Sequence, residues 1–476
     1  MTQDTKQLYI DAGQEHLFRH WDILTDDEKT TLLSNLAVVA ERNPPAKLIE
    51  SCQEAIRRAT TAGSSSTIEP LPAASYQSII NAPLVESEYR QLGLDAIKNG
   101  EVAVILMAGG QGTRLGSALP KGCYNIDLPS QKSLFQIQAE KILRLQALTG
   151  SKFDIPWYVM TSAATSDSTR EFFSKNLWFG LKHSQIKFFN QGTLPALDST
   201  GRHMLLKNRV SLVESPDGNG GLYQAIKDNK LLEEFENRGI KHLYMYCVDN
   251  VLAKVADPIL IGFAIKHGFQ LATKAVRKTN PHEPVGLIAM KGGNKPCVIE
   301  YSEISNELAE AMDEQDDTLL RLRAGNIVNH YYSVELLRED LEKWCNEMPY
   351  HVAKKKIPYY DNTADKFIPV DSPNGIKLEQ FIFDVFPDVP LEKFGCLEVD
   401  RSKEFAPLKN GPGSKTDNPE TSKLAYLSLG TSWLENAGAK VLPGVLVEVS
   451  SRLSYEGENL SQFKGKVFNE KNIVLE

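Results

Sequence analysis

The stretch VAVILMAGGQGTRLG, residues 102–116, decides the fold of this chain. Val102–Met107 is an unbroken apolar run rich in β-branched side chains, which predicts a strand buried on both faces. Four glycines follow it: Gly109, Gly110, Gly112 and Gly116. Glycine lets the backbone turn sharply and present its N–H groups to a ligand without an intervening Cβ. Because such a loop between a buried strand and a helix concentrates partial positive charge, the stretch predicts a phosphate-binding loop.

This loop matches neither of the two commonest nucleotide-binding glycine patterns. A Walker loop would need lysine at the position of Ser117. The dinucleotide pattern G-x-G-x-x-G would start at Gly110 and would need glycine at the position of Leu115. An ordinary tight turn is the alternative interpretation. Arg114 and Lys121 place two full positive charges close to the glycines, which favours a loop for a nucleoside triphosphate.

Composition limits the classes of protein that this chain can represent. At 476 residues it is long enough for a large core and for about two or three domains. The formal net charge of −8 argues against nonspecific nucleic-acid binding, which needs a basic surface. Six scattered cysteines without C-x-x-C spacing are typical of a reduced, cytosolic protein without zinc.

The sequence has neither a signal-peptide pattern at its start nor an apolar run of the roughly 20 residues that a membrane span needs. We therefore expect a cytoplasmic protein that has small-molecule partners and does not bind nucleic acid or a membrane. The sequence leaves its oligomeric state open between a monomer and a homodimer.

Beyond residue 102, predicted strands and helices alternate along the chain. The strands are Trp157–Met160, Ile186–Phe189 and Leu243–Val248, and the helices are Ser133–Leu148 and Gly220–Asn229. This alternation predicts an α/β fold with a doubly wound, mixed but mostly parallel sheet. Because ligands of such sheets bind outside the carboxyl ends of the strands, the polar residues that follow them, such as Gln191 and Asp249, are candidates for a ligand site.

The chain divides into three predicted domains. Residues 1–99 form a helical N-terminal region, residues 100–405 the domain with the candidate site, and residues 406–476 a small C-terminal domain with β character. A capping-like Thr25–Glu28 begins one N-terminal helix, and small polar residues at 59–66 indicate a flexible connector.

Two further local predictions concern single elements. Tyr89–Asn99 is predicted to be a short helix that ends at Gly100. Leu287–Met290 and Val298–Tyr301, joined by a turn-rich segment, predict a hairpin.

Five motifs together resemble one family of enzymes. They are LMAGGQGTRLG (106–116), PKGCYNI (120–126), NQGTLPA (190–196), SPDGNGG (215–221) and YCVDN (246–250). The glycine loop with the P-K that follows resembles the signature of sugar-nucleotide pyrophosphorylases. The full set resembles the eukaryotic-type UDP-N-acetylglucosamine pyrophosphorylases of the UDP-sugar pyrophosphorylase family. This resemblance implies a nucleotidyltransferase, GT-A-like Rossmann-type core with a helical N-terminal cap and a small β-rich C-terminal domain.

The resemblance implies attack of a sugar-1-phosphate oxygen on the α-phosphorus of UTP, with release of pyrophosphate. Such chemistry depends on positioning and charge neutralisation more than on a protein nucleophile. By resemblance, Arg114 holds the β- and γ-phosphates and Lys121 holds the α-phosphate. The nucleotide-binding backbone is implied to include Ala108, Gly109, Gly110 and Gly112.

Asp249 ends an apolar strand and has two interpretations. A carboxylate there can hold a divalent cation that bridges phosphates, but Asp also commonly caps a turn. The residues alone leave both open. The resemblance implies a metal and ribose contact, with Mg²⁺ as the cofactor and Mn²⁺ as its alternative.

The remaining site residues are assigned by the resemblance. It implies that Gln191 and Gly218 contact uracil and that Asn219 lies near the ribose and the sugar. The implied sugar contacts are Gly286, Glu300, Asn326, Phe381 and Phe383, and Lys409 is an implied phosphate contact. Taken alone, most of these residues fit turns or strand faces equally well. Phe381 and Phe383 stand at strand alternation and would share a face, which also suits core packing.

Three other functions remain open at this point. A UDP-sugar pyrophosphorylase that prefers N-acetylgalactosamine-1-phosphate or glucose-1-phosphate would share the nucleotide loop and differ in the sugar pocket. A nucleotide-sugar-binding regulatory protein would lack turnover, although Arg114, Lys121 and Asp249 together argue against it. A glycosyltransferase would usually carry D-x-D, whereas Asp249 is followed by Asn250 and Val251.

Overall fold

The structure, a computed structural model, describes residues 2–61 and 67–476. Residues 62–66 of the predicted connector lie outside this part. Backbone contacts divide the chain into two units. Unit 1 combines Met1–Ser65, Gln191–Ala225 and Lys343–Asp384, and unit 2 combines Ser66–Asn190, Ile226–Glu342 and Val385–Glu476. This division differs from the predicted domain boundaries at 99/100 and 405/406, which stay a prediction.

The helices of the described residues are numbered in chain order. They are α1 (Thr2–Asp11), α2 (Asp26–Arg42), α3 (Pro45–Thr61), α4 (Pro83–Lys98), α5 (Leu134–Thr149), α6 (Ser166–Lys175), α7 (Leu222–Asp228), α8 (Leu231–Asn237), α9 (Pro258–His267), α10 (Asn306–Glu310), α11 (Val334–Glu347), α12 (Arg401–Glu404) and α13 (Pro419–Asn436). Within residues 2–61 and 67–476, none of them combines the length and the apolar composition needed to cross a bilayer.

Unit 2 contains the central sheet. Its strands are β1 (Ile68–Glu69), β2 (Tyr76–Ser78), β3 (Val102–Met107), β4 (Trp157–Thr161), β5 (Ile186–Asn190), β6 (His242–Cys247), β7 (Leu271–Arg277), β8 (Leu287–Lys291), β9 (Lys295–Ile299), β10 (Ala324–Ser333) and β11 (Phe394–Val399). The strand order is β2-β11-β7-β10-β6-β3-β4-β5, with β8 paired to β1, β9 and β10.

The direction of these strands confirms the predicted mixed, mostly parallel α/β sheet. Every neighbouring pair along the main order is parallel except the two that contain β10, which runs antiparallel to β6 and β7. The chain runs outward from β3 to β4 and β5, then returns to β6 on the other side of β3. The carboxyl ends of β3 and β6 therefore flank a topological switch point, where doubly wound sheets bind ligands.

Strand β3 is buried along its whole length, as its composition predicts. Its Val104 and Leu106 share a core cluster with Trp157 of β4 and Tyr244 of β6. Burial of such an aliphatic side chain is worth about 1.5–3 kcal/mol relative to exposure. The strand therefore fixes the starting point of the glycine loop.

Helices α4 and α9 of unit 2 approach each other closely because each carries a glycine at the contact. A Cβ at Gly93 would lie 1.9 Å from the carbonyl oxygen of Pro258, and one at Gly262 would lie 1.8 Å from that of Tyr89. Helix α4 begins at Pro83, earlier than the predicted start at Tyr89. Proline is well suited to the first helical position because its missing N–H has no partner there anyway.

Unit 1 packs α1–α3 against short strands. These strands are Thr193–Pro195, Leu197–Asp198, Leu206–Asn208, Ser211–Leu212, Glu214–Pro216, His351–Lys355, Tyr359–Asp361, Lys366–Ile368 and Gly375–Glu379. The predicted cap of α2 is confirmed: the Glu28 N–H donates to the Thr25 hydroxyl oxygen (3.3 Å), and the Thr25 N–H donates to the Glu28 carboxylate (2.9 Å). Leu32, Leu197 and Leu378 belong to the buried core of this unit.

The last segment of unit 2 combines α13 with short parallel strand pairs. Lys440–Val441 pairs with Val467–Phe468, and Val447–Val449 pairs with Ile473–Leu475. Leu434 of α13 is buried with Val447 in a separate apolar cluster. The segment therefore has the β character that its sequence predicts, in four short strands.

The structure corrects three local predictions. The glycine loop does not lead directly into an α-helix, because only a 3₁₀ turn at Thr113–Leu115 and another at Lys121–Cys123 precede α5. The hairpin partner of β8 is Lys295–Ile299 rather than Val298–Tyr301, since the turn between the strands is shorter than predicted.

The third correction concerns Phe381 and Phe383, which do not lie on a strand. The preceding strand ends at Glu379, and a 3₁₀ helix begins at Ile382. The two rings nevertheless stack, with centroids 5.2 Å apart. Their contact therefore comes from the 3₁₀ turn and not from strand alternation.

Candidate functional site

The glycine loop after β3 is closed by its own backbone. The Gly112 N–H donates to the Leu119 carbonyl (3.1 Å), and the Lys121 N–H donates to the Gly110 carbonyl (3.2 Å). A Cβ at Gly112 would lie 2.8 Å from the Leu119 carbonyl oxygen, so a larger residue there would force a shift. A Cβ at Gly110 would meet no protein atom within 4 Å. The loop is therefore closely packed at Gly112 and open at Gly110, on the side where a ligand could approach.

The start of the loop is tied to the neighbouring strand β4. The Ala108 N–H donates to the Met160 carbonyl (2.8 Å), and the Ser162 hydroxyl donates to the Gly109 carbonyl (2.9 Å). With no helix directly after the loop, positive potential here comes from backbone N–H groups and cationic side chains rather than from a helix N-terminus.

The two predicted cations have different surroundings. The Lys121 ammonium lies 3.3 Å from the Asp249 carboxylate, and both side chains are largely but not fully buried, at 18% and 25% exposed. Arg114 is exposed and makes no ion pair with any residue that the structure describes. The structure thus joins Lys121 and Asp249, which lie on segments far apart in the sequence, at the switch point of the sheet.

Backbone contacts hold the Asp249 segment against residues 404–408. The Leu408 N–H donates to the Asp249 carbonyl (2.8 Å). The Asn250 side chain donates to the Glu404 carbonyl (2.7 Å) and accepts from the Ala406 N–H (2.9 Å). Lys409 follows Leu408 directly, so the predicted phosphate contact starts from a segment bound to Asp249.

Two positioning residues were missed by sequence reasoning, because they lie within an apolar helix pattern. The Gln138 side chain of α5 donates to the Val248 carbonyl (3.2 Å). The buried Lys141 ammonium donates to the carbonyls of Val251 (3.2 Å) and Ala253 (2.7 Å). Burial lowers the pKa of Lys141 to about 7. The only sequence signal was a polar residue at a helix position that faces the core.

Three of the predicted sugar contacts come together in unit 2. The Asn326 N–H donates to the Gly286 carbonyl (2.8 Å), and a Cβ at Gly286 would lie 3.5 Å from the Glu300 carboxylate. The Asn326 side-chain oxygen accepts from the Val328 N–H (2.9 Å). Val328 has a φ of 54°, an unusual conformation for a β-branched residue, and it lies beside Asn326 where the pairing of β10 with β7 shifts its register.

The predicted uracil contacts lie together in unit 1. The Gln191 amide nitrogen donates to the Gly218 carbonyl (3.1 Å). Gly218 has φ 91° and ψ 176°, a conformation that only glycine adopts readily, and its Cβ would lie 2.4 Å from the Gln380 carbonyl oxygen. Sequence alone left this stretch as an ordinary turn.

Asn219 connects the same loop to the phenylalanine pair. Its side-chain oxygen accepts from the Ile382 N–H (3.0 Å), at the start of the 3₁₀ helix between Phe381 and Phe383. The Phe383 side chain is buried, and Phe381 is partly exposed. Of the two rings, Phe381 is therefore the one accessible to a ligand.

Asp249 is the residue that best fits a divalent cation. It offers a partly exposed carboxylate at the switch point, and Mg²⁺ needs only one or two carboxylates in addition to substrate oxygens. Within residues 2–61 and 67–476, no three His, Cys, Asp or Glu side chains are grouped as a metal site.

The fold and the glycine loop define a class of protein, a nucleotide-binding α/β protein with its ligand loop at the switch point of a doubly wound sheet. The family follows from comparison with known proteins. The model of the UTP–glucose-1-phosphate uridylyltransferase family matches residues 56–414. The chain belongs to this family.

Similar proteins extend over nearly the whole chain. UDP-N-acetylglucosamine pyrophosphorylase of Saccharomyces cerevisiae is 66% identical over 99% of both chains. UDP-N-acetylglucosamine diphosphorylase 1 of Arabidopsis thaliana is 40% identical over 96% of this chain and 90% of its own. The crystal structure of uridine diphosphate N-acetylglucosamine pyrophosphorylase from Trypanosoma brucei has a TM-score of 0.83 at 29% identity, covering 96% of this chain and 93% of its own.

Proposed function

We infer that this protein is a uridylyltransferase that makes UDP-N-acetylglucosamine and pyrophosphate from UTP and N-acetylglucosamine-1-phosphate. The observation that carries the inference is the Lys121–Asp249 pair beside a glycine loop at the switch point of the sheet. Two relatives named for this activity support it, and their alignments cover 99% and 96% of the chain.

The reaction needs cations at each phosphate more than it needs a nucleophile from the protein. The attacking oxygen of the sugar phosphate forms a bond to the α-phosphorus, the bond to the bridging oxygen of the β-phosphate breaks, and pyrophosphate leaves in line. Lys121 would hold the α-phosphate, where charge builds up in the transition state. Arg114 and Lys409 would neutralise the phosphates at either side of it.

We assign Mg²⁺ to the Asp249 carboxylate, with Mn²⁺ as an alternative. When bound, the ion supplies charge neutralisation between phosphate oxygens. The protein's own part is to fix the carboxylate, which it does through the contacts of Asn250 and Leu408 with the 404–408 segment.

The contacts proposed for the organic parts of the substrates are those that the family resemblance implies. Gln191 and Gly218 would bind uracil, with Asn219 near the ribose and the sugar. Gly286, Glu300 and Asn326 would bind the sugar hydroxyls, and Phe381 would contact the N-acetyl group, supported by Phe383.

We also propose a cytoplasmic location. All six cysteines are free thiols, and thiols stay reduced in the cytosol. Fractionation of cells that produce the tagged protein tests this proposal.

The activity is tested by pyrophosphate release from UTP and Mg²⁺ with a panel of sugar-1-phosphates. The panel contains N-acetylglucosamine-1-phosphate, N-acetylgalactosamine-1-phosphate and glucose-1-phosphate. We expect the highest kcat/KM with the first. A preference for glucose-1-phosphate would overturn the sugar assignment and leave the phosphate residues standing, whereas no release with any of the three would overturn the activity itself.

A further inference from the structure

The hydrogen bonds of Gln191 fix which end of its amide faces outward. Its nitrogen Nε2 donates both to the Gly218 carbonyl and to Oδ1 of Asp217, each at 3.1 Å. A backbone carbonyl only accepts, so the amide atom that faces it must be the NH₂ group. Oε1 of Gln191 accepts no hydrogen bond from the part of the chain that the structure describes. The amide therefore offers its oxygen, an acceptor, to a ligand.

The Asp217 carboxyl group lies in a space that is open only because two neighbouring residues are glycines. A Cβ at Gly221 would lie 2.0 Å from Oδ1 of Asp217, and a Cβ at Gly192 would lie 2.5 Å from Oδ2. The Asp217 carbonyl also accepts from the Gln380 N–H at 2.8 Å. The motifs around Gln191 and Gly218 thus contain glycines whose role is to make room for one carboxyl group.

The Asp217 carboxyl is almost fully buried, with the residue 7% exposed. Burial raises its pKa to about 7, although hydrogen bonds and the charge of Arg42 favour the ionised form. Oδ1 accepts from Gln191 in either protonation state, because the C=O oxygen of a neutral carboxyl is also an acceptor. The orientation of the amide therefore does not depend on the charge of Asp217.

We propose that Asp217 is a positioning residue that holds the Gln191 amide with its oxygen outward and so selects uracil over cytosine. This inference rests on the proposed function and extends it to a buried residue that would act through Gln191.

The chemistry of the two bases explains the selection. Uracil carries an N–H donor at N3, which matches an outward amide oxygen. Cytosine has an acceptor at N3, and it would face that oxygen with both groups unable to donate. A site built to hydrogen-bond one partner rejects an analogue that leaves its polar groups unpaired. Without Asp217 the amide nitrogen keeps one acceptor, the Gly218 carbonyl, in place of two. The turned amide, which presents NH₂ to cytosine, then becomes less unfavourable, and cytosine is rejected less strongly.

The experiment measures kcat/KM for UTP and for CTP with the same sugar-1-phosphate. The variants are Asp217→Ala and Asp217→Leu, which remove the acceptor, and Asp217→Asn, which keeps an acceptor oxygen. Glu214→Ala is the matched control, because Glu214 is an exposed acid whose partner is the Thr193 hydroxyl. Gly221→Ala displaces the carboxyl group while keeping Asp217.

We expect the UTP-to-CTP ratio to fall at least about tenfold in Asp217→Ala, Asp217→Leu and Gly221→Ala. The ratio should stay within about threefold of the wild-type value in Asp217→Asn and Glu214→Ala. Thermal unfolding monitored by circular dichroism identifies any variant that does not fold. For a folded variant without turnover, the ratio of UTP to CTP affinity from calorimetry replaces the kinetic ratio.

A wild-type ratio in the folded Asp217→Ala, Asp217→Leu and Gly221→Ala variants would overturn the positioning role. So would an equal loss in Asp217→Asn and Asp217→Ala. These outcomes differ from a failure of the proposed function, in which the wild-type protein itself releases no pyrophosphate from UTP.

Discussion

At the scale of single residues, the most informative contact is the ion pair between Lys121 and Asp249. Two opposite charges 3.3 Å apart and largely shielded from solvent attract each other and hold both side chains in place before a substrate arrives. A triphosphate would compete with Asp249 for the lysine, and a divalent cation would compete with Lys121 for the carboxylate. In the proposed reaction, the pair would exchange its partners for a phosphate and a metal ion.

We predict that Arg114→Ala and Lys121→Ala each lower kcat/KM by about a hundredfold or more, because each removes a cation from a phosphate. Pyrophosphate release measures the change. Lys175→Ala is the control, since Lys175 is an exposed lysine paired only along its own helix. Near-normal turnover of either site variant would show that its cation has no role in the reaction.

The metal role of Asp249 has its own test. In Asp249→Ala, the Mg²⁺ concentration that gives half-maximal activity should rise by about tenfold or more, because the proposed carboxylate ligand is lost. A Mg²⁺ titration at saturating UTP measures this value, with Asp26→Ala as an exposed control. An unchanged Mg²⁺ requirement would leave Asp249 as a structural partner of Lys121.

At the scale of elements, the glycine loop contains two glycines with different surroundings, one packed against the protein and one beside open space. Gly112 packs against a carbonyl of the loop, whereas the space beside Gly110 contains no protein atom within 4 Å. The same substitution at the two positions should therefore have different effects.

We predict that Gly110→Ala changes the free energy of unfolding by less than about 0.5 kcal/mol, as expected for an open position. Its kcat/KM should nevertheless fall about tenfold or more, because the new methyl group occupies the space of the phosphate. Gly112→Ala should lower stability by about 1–3 kcal/mol. Urea unfolding and pyrophosphate release measure both. Full activity of Gly110→Ala would remove this face of the loop from the phosphate site.

At the scale of the whole molecule, two histidines of the sheet, one fully and one partly buried, are expected to lower stability at acid pH. His330 on β10 is fully buried, and burial lowers its pKa to about 3, while that of His242 falls to about 4. Since the folded pKa lies below the value of 6.5 expected for the unfolded chain, the neutral form is favoured in the fold. The stabilisation is complete above pH 6.5 and is lost as the pH falls towards these values.

We therefore expect the free energy of unfolding to decrease between pH 6.5 and pH 4, by about 1.4 kcal/mol per pH unit for each such histidine. Urea unfolding at several pH values measures the slope. His330→Gln, which cannot gain a proton, should show a shallower slope than the wild type. Equal slopes in the two proteins would contradict a neutral, buried His330.

The predicted site residues belong to two different units of the chain. Unit 2 holds the glycine loop, Lys121, Asp249 and the cluster around Asn326, whereas unit 1 holds Gln191, Gly218 and the phenylalanine pair. Unit 1 is assembled from three separate stretches of the chain. Local sequence patterns do not encode such long-range association, which explains why the predicted boundaries follow the chain in order.

The sequence by itself determined the elements whose signal is local. The apolar run of β3, the glycines after it, the Thr25–Glu28 cap and the alternation of strands and helices are properties of neighbouring residues, and backbone sterics and burial act on them directly. The family resemblance then implied roles for residues whose spacing in the sequence indicates no role. The fold class followed from these signals, and the structure confirms it.

Only the tertiary structure decided which distant residues meet. Three side-chain contacts join segments that are separated in the sequence. They are Lys121 with Asp249, Lys141 with the Val251 carbonyl, and Gln191 with Asp217. It also replaced the strand expected at Phe381–Phe383 by a 3₁₀ turn, where the Asn219 side chain meets the Ile382 N–H. The physical reason is that a buried polar group needs a specific partner, and that partner is supplied by the packing of whole elements rather than by its neighbours in the chain.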